Sequence, residues 1–384
     1  MPNRSARQHA EATGAAFAGV VSRRRMLGGM LRGLTGSSAL LGLAGCSGFS
    51  LTGGDDIAPA GTIGKAALLA PLTGPRASIG QIMAAAASLG GNPTGPEAEV
   101  TVIDAGDSDA TAVAAARSAI AGGAKMLLGP LFSAQSRAVA DAVGGNVPVV
   151  SLSNNTTIAD RNLFVFGITP QQSARSILGF AATRGKRTIA VVVPPGDFGA
   201  LSASVAQSVG ASLGQKVAPP IVAASGAGLI DKLRTANGGA LPDAVYLPVV
   251  GGPFEEQAAA LQAAKVQLLG SNQWAAITPY RIAALRGGWF AAPDPVRFEA
   301  FATALEAADE TEAGVVAGLA FDVVEMARIL GRIGKQDRKG LLRDAGFDGV
   351  LGPFKFQGNG QCQRALAVLS VEQGATTLIG AAAA

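Results

Sequence analysis

From Thr62 onward, short continuous apolar runs alternate with longer stretches of helical periodicity. Lys65 to Ala70 is the first run, and Ser78 to Leu89 repeats its apolar positions at three- and four-residue spacing. Glu99 to Ile103 then predicts a strand, Asp109 to Ala121 a helix, Lys125 to Leu128 a strand, Ser133 to Val143 a helix and Val147 to Ser151 a strand. Strands without polar alternation, separated by helices, predict a parallel sheet covered on both faces.

The pattern restarts after Pro170. Helices are expected at Gln171 to Thr183, Phe198 to Leu213, Leu229 to Ala236 and Phe254 to Lys265. Strands are expected at Arg187 to Val193, Ala244 to Val250 and Val266 to Leu269, with a strand edge at Ile221 to Ala224. Two successive sheets of this kind predict two α/β lobes, each a mostly parallel sheet flanked by helices, although no local sequence repeat accompanies them. The remaining chain supplies two helices, Pro295 to Ala308 and Glu312 to Gly331, then Leu351 to Phe356 and Ala365 to Ser370 as antiparallel strands across the turn Gly358-Asn359-Gly360. Helices this apolar must cover an existing sheet. Residues 62–169 with 285–345 are therefore assigned to the first lobe, and 170–284 with 346–384 to the second.

The N-terminal region follows another logic. Arg23, Arg24 and Arg25 precede an apolar stretch from Met26 to Ala44, and Leu43-Ala44-Gly45 leads into Cys46. This order predicts a lipoprotein signal peptide over residues 1–45, with Cys46 cleaved and acylated. Acyl chains hold a domain on a bilayer at ~0.8 kcal/mol per buried methylene. Ser22 to Leu27 resembles a twin-arginine export signal, and general secretion remains an equal route. Residues 46–61 are Gly-rich without periodicity and read as a flexible tether. The expected location is the periplasm, anchored to the inner or outer membrane.

Removing that leader changes the charge. Six arginines and Glu11 leave with it, so 25 Lys plus Arg face 26 Asp plus Glu and the formal charge falls from +4 to −1. The basic character thus belongs to the export signal and gives no support to nucleic-acid binding. The lone His9 leaves too, which excludes Ser-His-Asp and Cys-His chemistry and histidine metal sites from the mature chain. With Cys46 acylated only Cys362 remains, so no intramolecular disulfide forms. Asp104, Asp107 and Asp109 read as a solvated turn and helix cap rather than a calcium loop. Neither Thr62-Ile63-Gly64-Lys65 nor Gly251-Gly252 completes a nucleotide fingerprint. No catalytic residue, metal or cofactor is expected.

In open parallel sheets, ligands sit beyond the carboxyl ends of strands, where helix N-termini present unpaired N–H groups. One wall of such a cleft is Gly129-Pro130-Leu131-Phe132-Ser133, with Ser133 as a helix cap or a donor to a carboxylate. Ser151, Ser153 and Asn154 form a second polar wall, or equally a self-bonded turn. From the other lobe come Asp197, a helix cap, and Phe198, an apolar face, then Gly251, which permits close backbone approach, and Gln273 and Trp274, an amide and an aromatic face. No Asp or Glu stands between Val249 and Phe254 or between Leu269 and Tyr280. A buried ammonium without an anionic partner is costly, so a neutral or anionic solute, a peptide or a sugar fragment fits better than a free amino acid unless Asp197 pairs with it.

Several of these segments resemble a known family. Ala67-Leu68-Leu69-Ala70-Pro71-Leu72-Thr73-Gly74-Pro75, Val147-Pro148-Val149-Val150-Ser151 and Gly352-Pro353-Phe354-Lys355-Phe356 with Asn359-Gly360 are similar to type I periplasmic binding proteins of the leucine/isoleucine/valine-binding class. Leu285-Arg286-Gly287-Gly288-Trp289-Phe290-Ala291-Ala292-Pro293 resembles alphaproteobacterial lipoproteins labelled penicillin-binding protein activator. The resemblance covers residues 62–375 and implies two lobes with several crossings that close on a small polar solute, an amino acid, peptide or cell-wall fragment. It places the carboxylate-holding hydroxyl at Ser133 and puts Phe198 where the class often has Tyr. In the late helix, Phe321-Asp322 stands where Tyr-Asp is common. The implied partner is an ABC permease fed by the receptor, or a peptidoglycan synthase regulated by an envelope interaction protein.

Overall fold

A computed structural model describes residues 64–90, 98–309 and 313–381. Cys46, the leader before it and the tether after it lie outside the described residues. The first lobe begins with β1 (Lys65–Ala70), α1 (Ala77–Ser88), β2 (Val100–Asp104), α2 (Asp109–Ala121), β3 (Ala124–Leu128), α3 (Ser133–Val143), β4 (Val149–Ser151) and β5 (Leu163–Val165). Its five strands run parallel in the order β2-β1-β3-β4-β5. Residue alternation on β1 shows why the sheet is buried twice: Ala66, Leu68 and Ala70 enter one core, Ala67 and Leu69 the other. Ala112, Ala115, Ala116 and Ala119 of α2 and Val139 of α3 cover the second face. Small side chains there bring helix and sheet close together.

The second lobe follows as α4 (Pro170–Thr183), β6 (Thr188–Val193), α5 (Asp197–Ser212), β7 (Lys216–Val217), β8 (Ile221–Val222), α6 (Leu229–Ala236), β9 (Ala244–Leu247), α7 (Phe254–Ala263), β10 (Gln267–Gly270) and β11 (Trp289–Ala292). Its start is marked by a reciprocal cap, Thr169 accepting from the Gln172 amide while Gln172 accepts from the Thr169 amide, with Pro170 at the first helical position. The chain then adds α8 (Pro295–Asp309), α9 (Val315–Arg332), α10 (Arg338–Leu341) and the hairpin β12 (Phe354–Phe356) and β13 (Cys362–Arg364), and ends on β14 (Ala367–Val371) and β15 (Thr376–Gly380). The eight-stranded second sheet is ordered β15-β14-β11-β10-β9-β6-β7, with β8 beside β6. Here too both faces are covered, by α6 and α7 on one side and α4 and α5 on the other. The architecture is therefore a two-lobed α/β fold.

Two expected crossing points move. Residues 285–292 stay with the second lobe, because β11 pairs parallel with β10 and antiparallel with β14. Residues 346–364 stay with the first, where Phe347, Phe354, Phe356 and Cys362 join the core built on α1, α8 and α9. The rings of Phe354 and Phe356 pack edge-on against Phe166 and Phe164, at centroid distances of 4.8 and 5.4 Å. The hairpin partner of β12 is consequently Cys362–Arg364, and the expected strand from Ala365 becomes β14 of the other sheet. The chain crosses between lobes near residues 166–169, 293–294 and 365–366. Gln172 Nε2 donates to the Cys362 carbonyl at 2.7 Å, tying the first crossing to the third. Among the described residues, no helix is long and apolar enough to cross a membrane.

Candidate functional site

The strand ends meet at a small cavity beside the crossings, lined by Asn154, Ile168, Pro170, Phe198, Tyr246, Pro248, Ser271, Asn272 and Gln273. It encloses about 10 Å³, room for one water. Asn154 follows β4 of the first lobe, Ile168 and Pro170 belong to the first crossing, and the others follow or end β6, β9 and β10. This is the position where open parallel sheets hold ligands. Among the described residues no hydrogen bond or ion pair joins the loops after β1–β4 to those after β6, β9 and β10, and the two walls meet at this cavity through Asn154 alone of the first-lobe loops.

Of the residues expected from the sequence, Asn154, Phe198 and Gln273 line this cavity. Ser133 is the first residue of α3, whose cap position is Phe132, so its hydroxyl is not the cap. Leu131 and Phe132 are half-buried on the same loop, and the Arg76 guanidinium stacks over the Phe132 ring 4.2 Å from its centroid. Asp197 is exposed and begins α5 behind the cap position Gly196, so it is not the cap either. Gly251 is exposed, with a φ of 112° that favours glycine, and stands outside the cavity lining.

Two serines turn inward instead. Ser151 is fully buried; its hydroxyl lies 2.7 Å from that of Ser136 and accepts from the Ser153 amide at 3.1 Å. Ser153 in turn accepts from the Asn155 amide, and Asn155 from that of Thr157. Short side chains answer successive backbone N–H groups here, and that self-bonded turn shapes the first-lobe wall. Ser151→Ala is accordingly expected to cost about 1–2 kcal/mol of stability, since it strips a buried amide of its acceptor, and denaturant unfolding checks this.

Trp274 also faces the core. It is fully buried, donates its indole N–H to the Leu247 carbonyl at 3.0 Å and stacks on Phe290. Its neighbour Gln273 lines the cavity and accepts from the Val250 amide through Oε1. Asn272 Oδ1 accepts from the Ser173 hydroxyl at 2.8 Å, so its acceptor is spent as well. Ser271 donates to the Pro248 carbonyl and accepts from the Gln273 amide.

Sequence reasoning missed Tyr246, Asn272 and Arg76. Tyr246 lies inside an apolar strand, only 1% exposed, and burial pushes its phenol well above the ordinary range. No hydrogen-bond partner for its hydroxyl is found among the described residues. Arg76 follows the turn after β1, next to the loop after β3 because β1 and β3 pair. No signal in the local pattern singles out either residue; both are identified only by tertiary neighbours. Among the described residues no group of three or more His, Cys, Asp or Glu is placed to hold a metal ion.

Comparison with known proteins places the fold. The profile of the family described as periplasmic binding protein matches residues 65–376. A putative branched-chain amino acid ABC transporter from Rhodospirillum rubrum superposes with a TM-score of 0.70 at 22% identity, over 82% of this chain and 99% of that one. The leucine-binding protein LivK of Thermotoga maritima gives 0.55 at 20% identity, over 83% and 98%. Full-length LpoA of Haemophilus influenzae gives 0.63 at 18% identity, over 85% of this chain and 60% of that one. No curated protein matches the chain in sequence.

Proposed function

The chain belongs to the periplasmic binding protein family, and we infer that it is an extracytoplasmic solute receptor whose two lobes close on a small polar ligand. One observation carries this reading: Asn154 of the first lobe, the first crossing and three strand ends of the second lobe meet in one cavity that mixes apolar surface with amide and hydroxyl groups. Movement about the crossings near 166–169, 293–294 and 365–366 parts the walls to admit a solute and closes them on it, and the bound form presents a surface to a partner. An ABC permease of the branched-chain amino acid type is the partner that this reading implies. Acylation at Cys46 keeps the receptor beside its membrane.

A second reading is an envelope interaction protein that activates a peptidoglycan synthase. The likeness to LpoA supports it, since the C-domain of that protein from Haemophilus influenzae is described as a regulator of PBP1A. Thermal-shift screening against amino acids, short peptides and muropeptide fragments separates the two. A receptor gains RT ln(1 + [L]/Kd) from its ligand, about 2.7 kcal/mol at a hundredfold excess over Kd, and its melting temperature rises. No shift with any of these solutes, together with retention of the chain by an immobilised peptidoglycan synthase, rejects the receptor reading in favour of the second.

A further inference from the structure

We propose that the end of the first lobe where its strands begin is a membrane-docking face, its cations resting on anionic phospholipid headgroups beside the point where the tether joins the fold. Residues 332–343, Arg-Ile-Gly-Lys-Gln-Asp-Arg-Lys-Gly-Leu-Leu-Arg, carry five cations and one acid. Residues 46–384 as a whole carry 25 Lys plus Arg against 26 Asp plus Glu, so this run departs sharply from the balance of the chain. It leaves the last turn of α9 and passes beneath the first sheet. On one side the Gly64 amide donates to the Gly331 carbonyl at 3.2 Å, directly before Arg332, so the chain enters the fold at the start of the run. On the other side Arg338 lies over the Phe164 ring of β5 at 5.6 Å and donates to the carbonyls of Arg161 and Gly358. With the strands ordered β2-β1-β3-β4-β5, the run spans the sheet from β1 to its far edge.

Neighbouring residues add to that charge. Lys125 is exposed at the start of β3, next to Ala124, which pairs with Lys65 of β1, and Arg161 is exposed just before β5. Lys335 and Lys339 are exposed as well. Acids at this end are engaged: Glu99 bonds Lys65 at 2.8 Å, Asp160 bonds Arg137 at 2.8 Å, and Asp337 accepts from the Gly340 amide as the cap of α10. Asp104, Asp107 and Asp109 stand at the opposite end of the sheet, at and after the close of β2. The lobe is thus polarised along its strands, with cations where the chain enters and carboxylates toward the cleft. Orientation is what this polarity supplies. Gly64 stands 18 positions after Cys46, a span of at most about 60 Å, and that reach alone permits the domain any attitude above the bilayer. An anionic surface strengthens binding about fivefold for each Lys or Arg held close to it, within a Debye length, so the face already nearest the anchor is the one drawn down. The cleft then opens away from the bilayer. The proposal rests on acylation at Cys46 and is independent of which solute or partner the cleft serves.

The test is cosedimentation with vesicles of the mature polypeptide, residues 46–384 with Cys46→Ser, which contains both lobes complete and carries neither acyl chains nor the arginine-rich leader. It is expected to bind vesicles of phosphatidylglycerol and phosphatidylcholine in equal parts, to ignore vesicles of phosphatidylcholine alone, and to be released by salt. Lys125→Ala combined with Lys339→Ala, two exposed lysines whose loss leaves the melting temperature unchanged, should weaken that binding roughly tenfold or more. Lys265→Ala combined with Arg286→Ala removes the same charge from exposed positions on the second lobe and should leave it unaltered. Equal binding to both vesicle types, or a first-lobe variant that binds no more weakly than the second-lobe variant, overturns the docking face while leaving the receptor reading untouched. Metabolic labelling of the full chain with palmitate in cells reads the anchor separately: absence of label that depends on Cys46 overturns the tethered orientation even where the vesicles bind.

Discussion

Arg364→Met is expected to lower the unfolding free energy by about 3–5 kcal/mol near pH 8, the cost of leaving one member of a buried ion pair alone. Asp322 of α9 and Arg364 of β13 are both fully buried, with Nη1 3.3 Å from Oδ2. The carboxylate also accepts from the Val350 and Leu351 amides at 2.7 and 3.2 Å, and the guanidinium lies over the Phe166 and Phe354 rings at 4.5 and 5.0 Å. Arg364 Nε and Nη2 have no hydrogen-bond partner, so the flanking rings supply most of what holds that side of the group. Phe166 precedes the first crossing and Arg364 the third. The pair therefore sets the geometry of the segments about which the lobes move.

The pH dependence of that loss is the sharper measurement. Burial raises the Asp322 carboxyl to about 6, against the pull of Arg364 and the two amides, so its native value lies above that of the unfolded chain. A carboxyl raised in the folded state makes stability fall as pH rises through the interval between those values, and the folded protein regains that stability below it. Without Arg364 the carboxyl rises further. The penalty of Arg364→Met should then shrink as the pH is lowered from 8 to 5, because a protonated Asp322 no longer needs a counter-charge. Asp322→Asn combined with Arg364→Met removes both charges, keeps an acceptor for the Val350 amide and is expected to recover most of the loss. A penalty independent of pH, or a double variant no better than the single one, rules out the charge-pair account and leaves packing alone.

The same pair explains what the sequence concealed. Alternating apolar runs and helical periods were sufficient for two covered parallel sheets, since Ala66 to Ala70 and Ile189 to Val193 are buried on both faces. Cys362-Gln363-Arg364 looks too polar for a strand, whereas Ala365 to Ser370 looks apolar throughout. The first is nevertheless the hairpin strand, its arginine buried against an aspartate contributed 42 residues earlier. Phe290, Ala291 and Ala292 form only a four-residue strand with Trp289, flanked by Gly-Gly and proline, and its place in the second sheet is set by β14, whose pairing no local pattern encodes. At the site, polar residues after strands identified the loops but not the direction of each side chain. In the irregular turn after β10, adjacent Gln273 and Trp274 point to cavity and core.

That opposition makes Trp274→Ala the second large effect, about 3–5 kcal/mol of stability, through loss of a buried aromatic and its hydrogen bond. The indole stacks on Phe290 at 6.0 Å and meets Phe254 edge-on at 5.6 Å, between α7 and the sheet. Gly270 makes the space for it: a Cβ there would lie 2.2 Å from the ring. Gly270→Ala should therefore destabilise the parent strongly by forcing the ring out of its site, and should cost much less in a Trp274→Ala background, where the space is vacant. A double-mutant cycle measured by denaturant unfolding reads that coupling directly. Because Gln273 and Asn272 are carried by the turn that Trp274 anchors, ligand affinity should fall in Trp274→Ala but survive in Trp274→Phe, which keeps an aromatic ring and loses only the bond to Leu247. If Trp274→Phe instead abolished binding while leaving stability intact, the ring would have to contact the ligand, and its place in the core would be refuted.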